Sequence, residues 1–251
     1  MCCFSGTQLV QSVSKTRIFG RQEKKLQHLI YSMSIVASDA VAMVLPVPVV
    51  PGGPDDAMKF ADFSGYPKVF DDLELGFRPP VTVYRGSPAA LPALPKPVLE
   101  VKQVGAYEAS FVPTIADFSR LDARFRLPDD VWKKLPGYAA FGFAVFKLRA
   151  GAQDVHPMAF SFPTARPGHV FFPTLHIHDG EVHAKEHFDH TLYLQGENLN
   201  LNPGWQGSPG VAMNHVKCEQ THHFVLPEMH VHRRRIYGKH ANGDIVLKPL
   251  V

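Results

Sequence analysis

Twenty-two prolines spread through 251 residues are the tightest constraint on what this chain can fold into. A proline cannot donate to a β-ladder and it breaks a helix interior. Long uninterrupted elements are therefore not expected. Apolar patterning predicts strands over 16–19, 26–36 and 40–45, and another over 138–148 carrying Phe141, Phe143 and Phe146. Pro54-Asp55-Asp56 reads as the first turn of a helix running toward Phe63, and a second helix is expected over 67–75. Short helices are expected to start at 114–117 and 128–132, with mostly strands and turns from Met158 onward. The expected fold class is α+β: β-rich, with short antiparallel strands and hairpins and a few short helices.

A Pro/Ala-rich stretch over 86–97 punctuates the chain and reads as a linker. It separates an N-terminal β-rich lobe, 1–85, from a histidine-rich lobe, 98–251, and the two can pack as one compact domain. No internal repeat is evident. The apolar run 40–50 is too short to span a bilayer and is interrupted by Pro46 and Pro48. The N-terminus has no basic region followed by an apolar stretch, so no signal peptide is expected and the predicted compartment is the cytoplasm. A net charge of +3 is too mild to call for nucleic acid or a membrane surface. Arg233-Arg234-Arg235 reads as a solvated strand or turn.

Histidine is distributed unevenly: 13 of the 14 lie at or after His156. The densest segment is Leu175-His176-Ile177-His178-Asp179-Gly180-Glu181-Val182-His183. Asp-Gly between two such runs is a strong signal for a two-residue hairpin turn. With Asp179-Gly180 as the loop, strand alternation puts His176, His178, Glu181 and His183 on one face. Cross-strand Cβ atoms lie about 4.5–5.5 Å apart, so three imidazoles and a carboxylate can converge. Zinc, copper and iron all accept imidazole, and a three-histidine site leaves a position open for water. Glu181 or Glu186 is then the candidate acid or base. His187, four residues beyond His183 and about 13 Å away, falls outside the cluster, with His190 farther along. His230 and His232 repeat the His-x-His spacing and are candidate ligands. His215-x-x-Cys218, followed by His222-His223, also has ligand-like spacing, with a small buried hydrophobe as the plain alternative for Cys218.

The cysteines are Cys2, Cys3 and Cys218, too few and too odd in number for a disulfide framework. Removal of Met1 would give Cys2 a free amine beside its thiol, the arrangement in which an amine activates its own nucleophile. The opening Met-Cys with Ile18-Phe19-Gly20-Arg21 resembles the N-terminal nucleophile hydrolases that cleave amides, although Gln22 replaces the family's asparagine. That resemblance implies Cys2 as nucleophile and Arg21 as an active-site residue. Cys2, Thr16-x-Ile18-Phe19 and the segment Ala42-Met43-Val44-Leu45-Pro46-Val47-Pro48 also resemble uncharacterised bacterial proteins with a Leu-Pro-x-Pro segment, which implies a bacterial origin and no activity.

These observations lead to the expectation of a transition-metal-binding protein, a metalloenzyme if a coordination position stays open, with zinc, copper or iron as cofactor. The alternatives are an N-terminal-cysteine amidohydrolase and a metal buffer or sensor without catalysis. The expected partner is a small molecule or metal ion, not nucleic acid or membrane.

Overall fold

The computed structural model describes residues 3–5, 10–78, 103–104, 107–197, 201 and 203–248. The expected linker, 86–97, lies outside them. In chain order the strands are β1 (Cys3–Phe4), β2 (Val10–Glu23), β3 (Leu26–Ala37), β4 (Val41–Val47) and β5 (Lys59–Asp62). Helix α1 (Val69–Leu75) precedes β6 (Gln103–Val104) and β7 (Tyr107–Val112). Helix α2 (Asp129–Lys133) is followed by β8 (Gly142–Leu148), β9 (Gly151–Pro163), β10 (Val170–Phe172) and β11 (Lys185–Gln195). The chain ends with β12 (Gln206–Val211), β13 (His230–Ala241) and β14 (Ile245–Leu247).

Among the described residues three sheets result. One has the order β1-β4-β8-β7-β6, one the order β12-β13-β11-β2-β3-β9-β5, and β10 pairs with β14. Most neighbours are antiparallel, but β11 runs parallel to β2, with His190 opposite Thr16 and Tyr193 opposite Phe19. Strands from both expected lobes therefore share the seven-stranded sheet. The main core joins the inner faces of the two large sheets, with Phe4, Leu45, Phe143 and Phe146 of the smaller sheet meeting Ile18, Tyr31, Phe160 and Leu192 of the larger. A second core lies on the opposite face of the larger sheet, where Val69, Phe70 and Leu73 of α1 cover Phe19, Ile30 and Tyr193. Fully burying a side chain of this size contributes about 1.5–3 kcal/mol.

The α+β expectation is corrected: this is a mostly β fold, with two short α-helices among the described residues. Its strands are also longer than the prolines suggested, β2 reaching 14 residues and β9 reaching 13. The prolines fall where a ladder tolerates them. Pro157 sits in the register shift between β3 and β9, Pro163 ends β9, and Pro46 lies beyond the two residues of β4 that pair with β1. The helix expected from Pro54 toward Phe63 is absent. Residues 59–62 instead pair with β9, Lys59 opposite Ser161 through Asp62 opposite Met158. Phe60 packs into the main core and Ala61 into the second, a period-two alternation that overrode the helix-start signal. The expectations at 67–75 and 128–132 correspond to α1 and α2, and 114–117 opens a 3₁₀ turn over Ile115–Arg120.

Gln27, fully buried, ties β10 to the large sheet. Its amide donates to the Phe171 carbonyl at 2.6 Å and its Oε1 accepts the Phe171 N–H at 3.2 Å. Gln27→Leu leaves two buried main-chain groups unpaired, and the expected loss is about 2 kcal/mol, read as a lower midpoint in urea denaturation.

Candidate functional site

The expected hairpin at Asp179-Gly180 does not form. Gly180 does adopt a positive φ, +82°, but residues 173–184 belong to no strand, and Ile177 makes a single parallel bridge to Cys3. The main chain of this segment is held from elsewhere. The Thr174 and Leu175 N–H groups donate to Asp244 Oδ1 at 2.7 and 2.9 Å. Asn242 accepts the His176 N–H at 2.8 Å and donates to the carbonyls of His176 and His183 at 2.9 and 3.0 Å. The turn between β13 and β14 thus holds the histidine segment where cross-hairpin bonds were expected.

This anchoring separates the predicted ligands. His176 is fully buried and His178 half-buried, their rings stacked at 5.5 Å and 18°. His176 also stacks on Phe188 at 4.3 Å and on His190 of β11 at 5.2 Å. His183 is exposed and bonded to Asp179 at 2.8 Å, while Glu181 forms an ion pair with Lys134 at 2.5 Å. His230 is exposed and bonds the Ser208 carbonyl, and His232 is its half-buried neighbour on β13. His187 and Glu186 lie on β11, the former exposed. Among the described residues, no three His, Cys, Asp or Glu side chains form a group able to hold a metal ion. His190 joins the stack because a buried loop brings His176 beside it, which a linear distance along a strand does not reveal.

The stacked rings are kept neutral. Burial pushes His178 down to about 4 and His176 down to about 2, and holds His190 far below the ordinary imidazole range. Asp244, half-buried, is pushed up to about 6 by desolvation.

The remaining sequence candidates are dispersed through the fold. Arg21 is buried; its Nε donates to the Phe224 carbonyl at 2.9 Å and its Nη2 to that of His223 at 2.7 Å. It fixes the turn in which His222 and His223 take positive φ, 49° and 63°. His215 is half-buried against Gly76, where a Cβ would come within 2.4 Å of its Nε2. Cys218 is half-buried, and burial pushes its thiol up to about 11, so it is a protonated thiol. Cys3 is fully buried, and Cys2 lies outside the described residues.

A cleft of about 610 Å³ opens on the outer face of the seven-stranded sheet, where the cover of α1 ends. Its floor is a row of cross-strand partners: Arg235 on β13, Thr191 on β11, Arg17 on β2 and Ser32 on β3. Tyr237 and Asp189 form the next row with Lys15, which sits with φ 53° in a β-bulge and donates its N–H to Asp189 at 2.8 Å. Bulges re-aim side chains and often border binding sites. The α1 wall neutralises the floor: Asp71 pairs with Arg17 at 2.7 Å, and Glu74 accepts from Arg233, Arg235 and the Tyr193 hydroxyl. Sequence reading missed this cleft because its charges come from five separate elements. No motif joins them.

No protein-family profile matches the sequence, and no curated protein is significantly similar to it. Among solved structures, the crystal structure of baculovirus P35 matches with a TM-score of 0.52 and 12% identity, covering 100% of both chains. The chain shares its fold with baculovirus P35. The crystal structure of the caspase-8/P35 complex matches with a TM-score of 0.44 and 11% identity, covering 95% of this chain and 97% of the other. No helix among the described residues is long and apolar enough to cross a membrane.

Two outcomes follow from this geometry. Glu74→Ala strips three donors of their shared acceptor, with an expected loss of about 2–3 kcal/mol in urea denaturation and a smaller loss for Glu74→Gln. The depressed imidazoles make stability fall with acid. An unfolded histidine takes up its proton below about pH 6.5 while these remain neutral, so stability is full above that pH and lost as pH drops toward 4. Each contributes a slope of about 1.4 kcal/mol per pH unit, and Asp244 opposes them between roughly pH 3.8 and 6 because the folded state holds its proton longer. Urea midpoints measured from pH 7 to 4.5 should fall, and less steeply in His178→Gln.

Proposed function

We propose that this chain is a protein-binding scaffold whose partner is a protease of the caspase class. The observation that carries the reading is the correspondence of fold with baculovirus P35 over the full length of both chains. P35 is the protein named in complex with caspase-8, and the reading extends that kind of partner to this chain by analogy of fold. The cleft chemistry agrees with it. Arg17 and Arg235 pair with the carboxylates of α1, which gives a patterned polar surface of the sort that fixes register between proteins.

The test uses purified full-length chain and active caspase-8, with size-exclusion chromatography coupled to light scattering and hydrolysis of a fluorogenic tetrapeptide as readouts. The expected result is co-elution as a defined complex with altered peptide hydrolysis. Separate elution and unchanged hydrolysis, with the chain in molar excess and folded by circular dichroism, would overturn the reading.

A further inference from the structure

The seven-stranded sheet ends unevenly. β12 pairs with β13 from His230 to Arg233 only, and Gly204, just before β12, comes up to Arg234. Among the described residues, no strand pairs with β13 on that side from Arg235 to Ala241. The direction of the main-chain groups there follows from the bonds at either end. Val231 donates its N–H toward β12, to Ser208 Oγ at 3.0 Å, while Asn242 donates toward β11, to the Ala184 carbonyl at 3.0 Å. The register with β11 runs without a shift from His232 to Ala241. Alternation therefore points the N–H and C=O of Arg235, Tyr237 and Lys239 outward, away from the sheet.

The same parity puts the side chains of Arg235 and Tyr237 on the cleft face, where both line the cavity. Tyr237 is 59% exposed, an aromatic ring standing at the mouth of a cleft beside outward-facing main-chain groups. Lys239 on this face and Arg234 on the other leave the border basic, Arg235 being already paired with Glu74. The nearest carboxylates are partly committed: Glu74 to the arginines and Asp189 to the Lys15 N–H, with Glu186 opposite His240. The Tyr237 carbonyl is not bare, because His240 Nε2 donates to it at 2.8 Å. A lysine and the kink at Gly238, φ 90°, are also what a lone edge carries to resist self-pairing. A merely protected edge does not need a cleft and an exposed tyrosine along the same border.

We propose that the Arg235–Lys239 edge of β13 receives an extended acidic peptide, which adds to the sheet as a strand and lays its side chains over Tyr237 into the cleft. Main-chain bonds supply affinity and the basic border supplies selectivity, the division of labour seen in strand addition. An incoming N–H takes the Tyr237 carbonyl from His240. The proposal stands on the edge geometry and does not depend on the protease reading.

The probe is a fluorescein-labelled heptapeptide of alternating Glu and Val, with a Lys/Val peptide as control, read by fluorescence anisotropy on the full chain. The acidic peptide should bind and the basic one should not. Lys239→Glu should weaken binding about tenfold, the scale of one charge-assisted contact. Tyr237→Pro removes an outward donor without touching the ladder to β11 and should abolish binding, whereas His240→Ala should tighten it. Hydrogen exchange should show new protection at the Arg235 and Tyr237 amides. Absence of binding, or binding indifferent to Tyr237→Pro and Lys239→Glu in folded variants, would overturn the proposal.

Discussion

The parallel pairing of β11 with β2 is the joint on which the rest of the structure depends. It brings residues 190–195 against 16–21 and so closes a loop of more than a hundred residues, a cost in chain entropy that the surrounding contacts must offset. Everything characteristic of the molecule lies along this seam. His190 is carried into the interior beside His176, Thr191 is set next to Arg17 in the cleft floor, and Tyr193 meets α1. One register decides all three. Because strand side chains alternate with period two, a slip of one residue would send Tyr193 to the sandwich core and His190 to the cleft.

Sequence patterning located β2, β3, β4, β8 and the two helices but misjudged how they combine. The strands expected at 16–19 and 26–36 lie within β2 and β3. Prolines looked prohibitive because their effect depends on which side of a strand has a partner, and pairing is not written locally. Pro157 is harmless in a bulge and Pro46 beyond the reach of β1. The misread helix after Pro54 shows the same limit from the other side. Its opening residues suit a helix, yet the partner strand β9 offered Phe60 and Ala61 a core on each face. Local propensity is a weak prior where tertiary pairing competes with it.

The candidate site was less legible. The hairpin reading of 176–183 relied on Asp-Gly and on alternation, and Gly180 does turn with positive φ. What sequence could not reveal is that Asn242 and Asp244, some sixty residues later, claim the main-chain groups a hairpin would have used. The cleft was invisible for a related reason. Its floor is one residue from each of four strands, and no spacing in the chain records a row that runs perpendicular to it.

A common physical cause underlies both failures. Part of the irregular chain in this protein, 173–177 above all, is buried, and buried main-chain groups must be paired. Polar side chains do that pairing: Gln27 for Phe171, Arg21 for His223 and Phe224, Gln195 for Leu226 and Met229, Asn242 and Asp244 for 174–183. In sequence, such residues are indistinguishable from catalytic or ligating ones, since both are polar groups amid apolar neighbours. In structure they separate cleanly, because one kind is saturated by the backbone it serves. The exposed edge of β13 inverts the pattern, with outward main-chain groups at Arg235 and Lys239 for which the described chain supplies no strand. In a molecule that satisfies its backbone so fully elsewhere, an edge beside a cleft with no strand against it among the described residues marks where another chain has hydrogen bonds to gain.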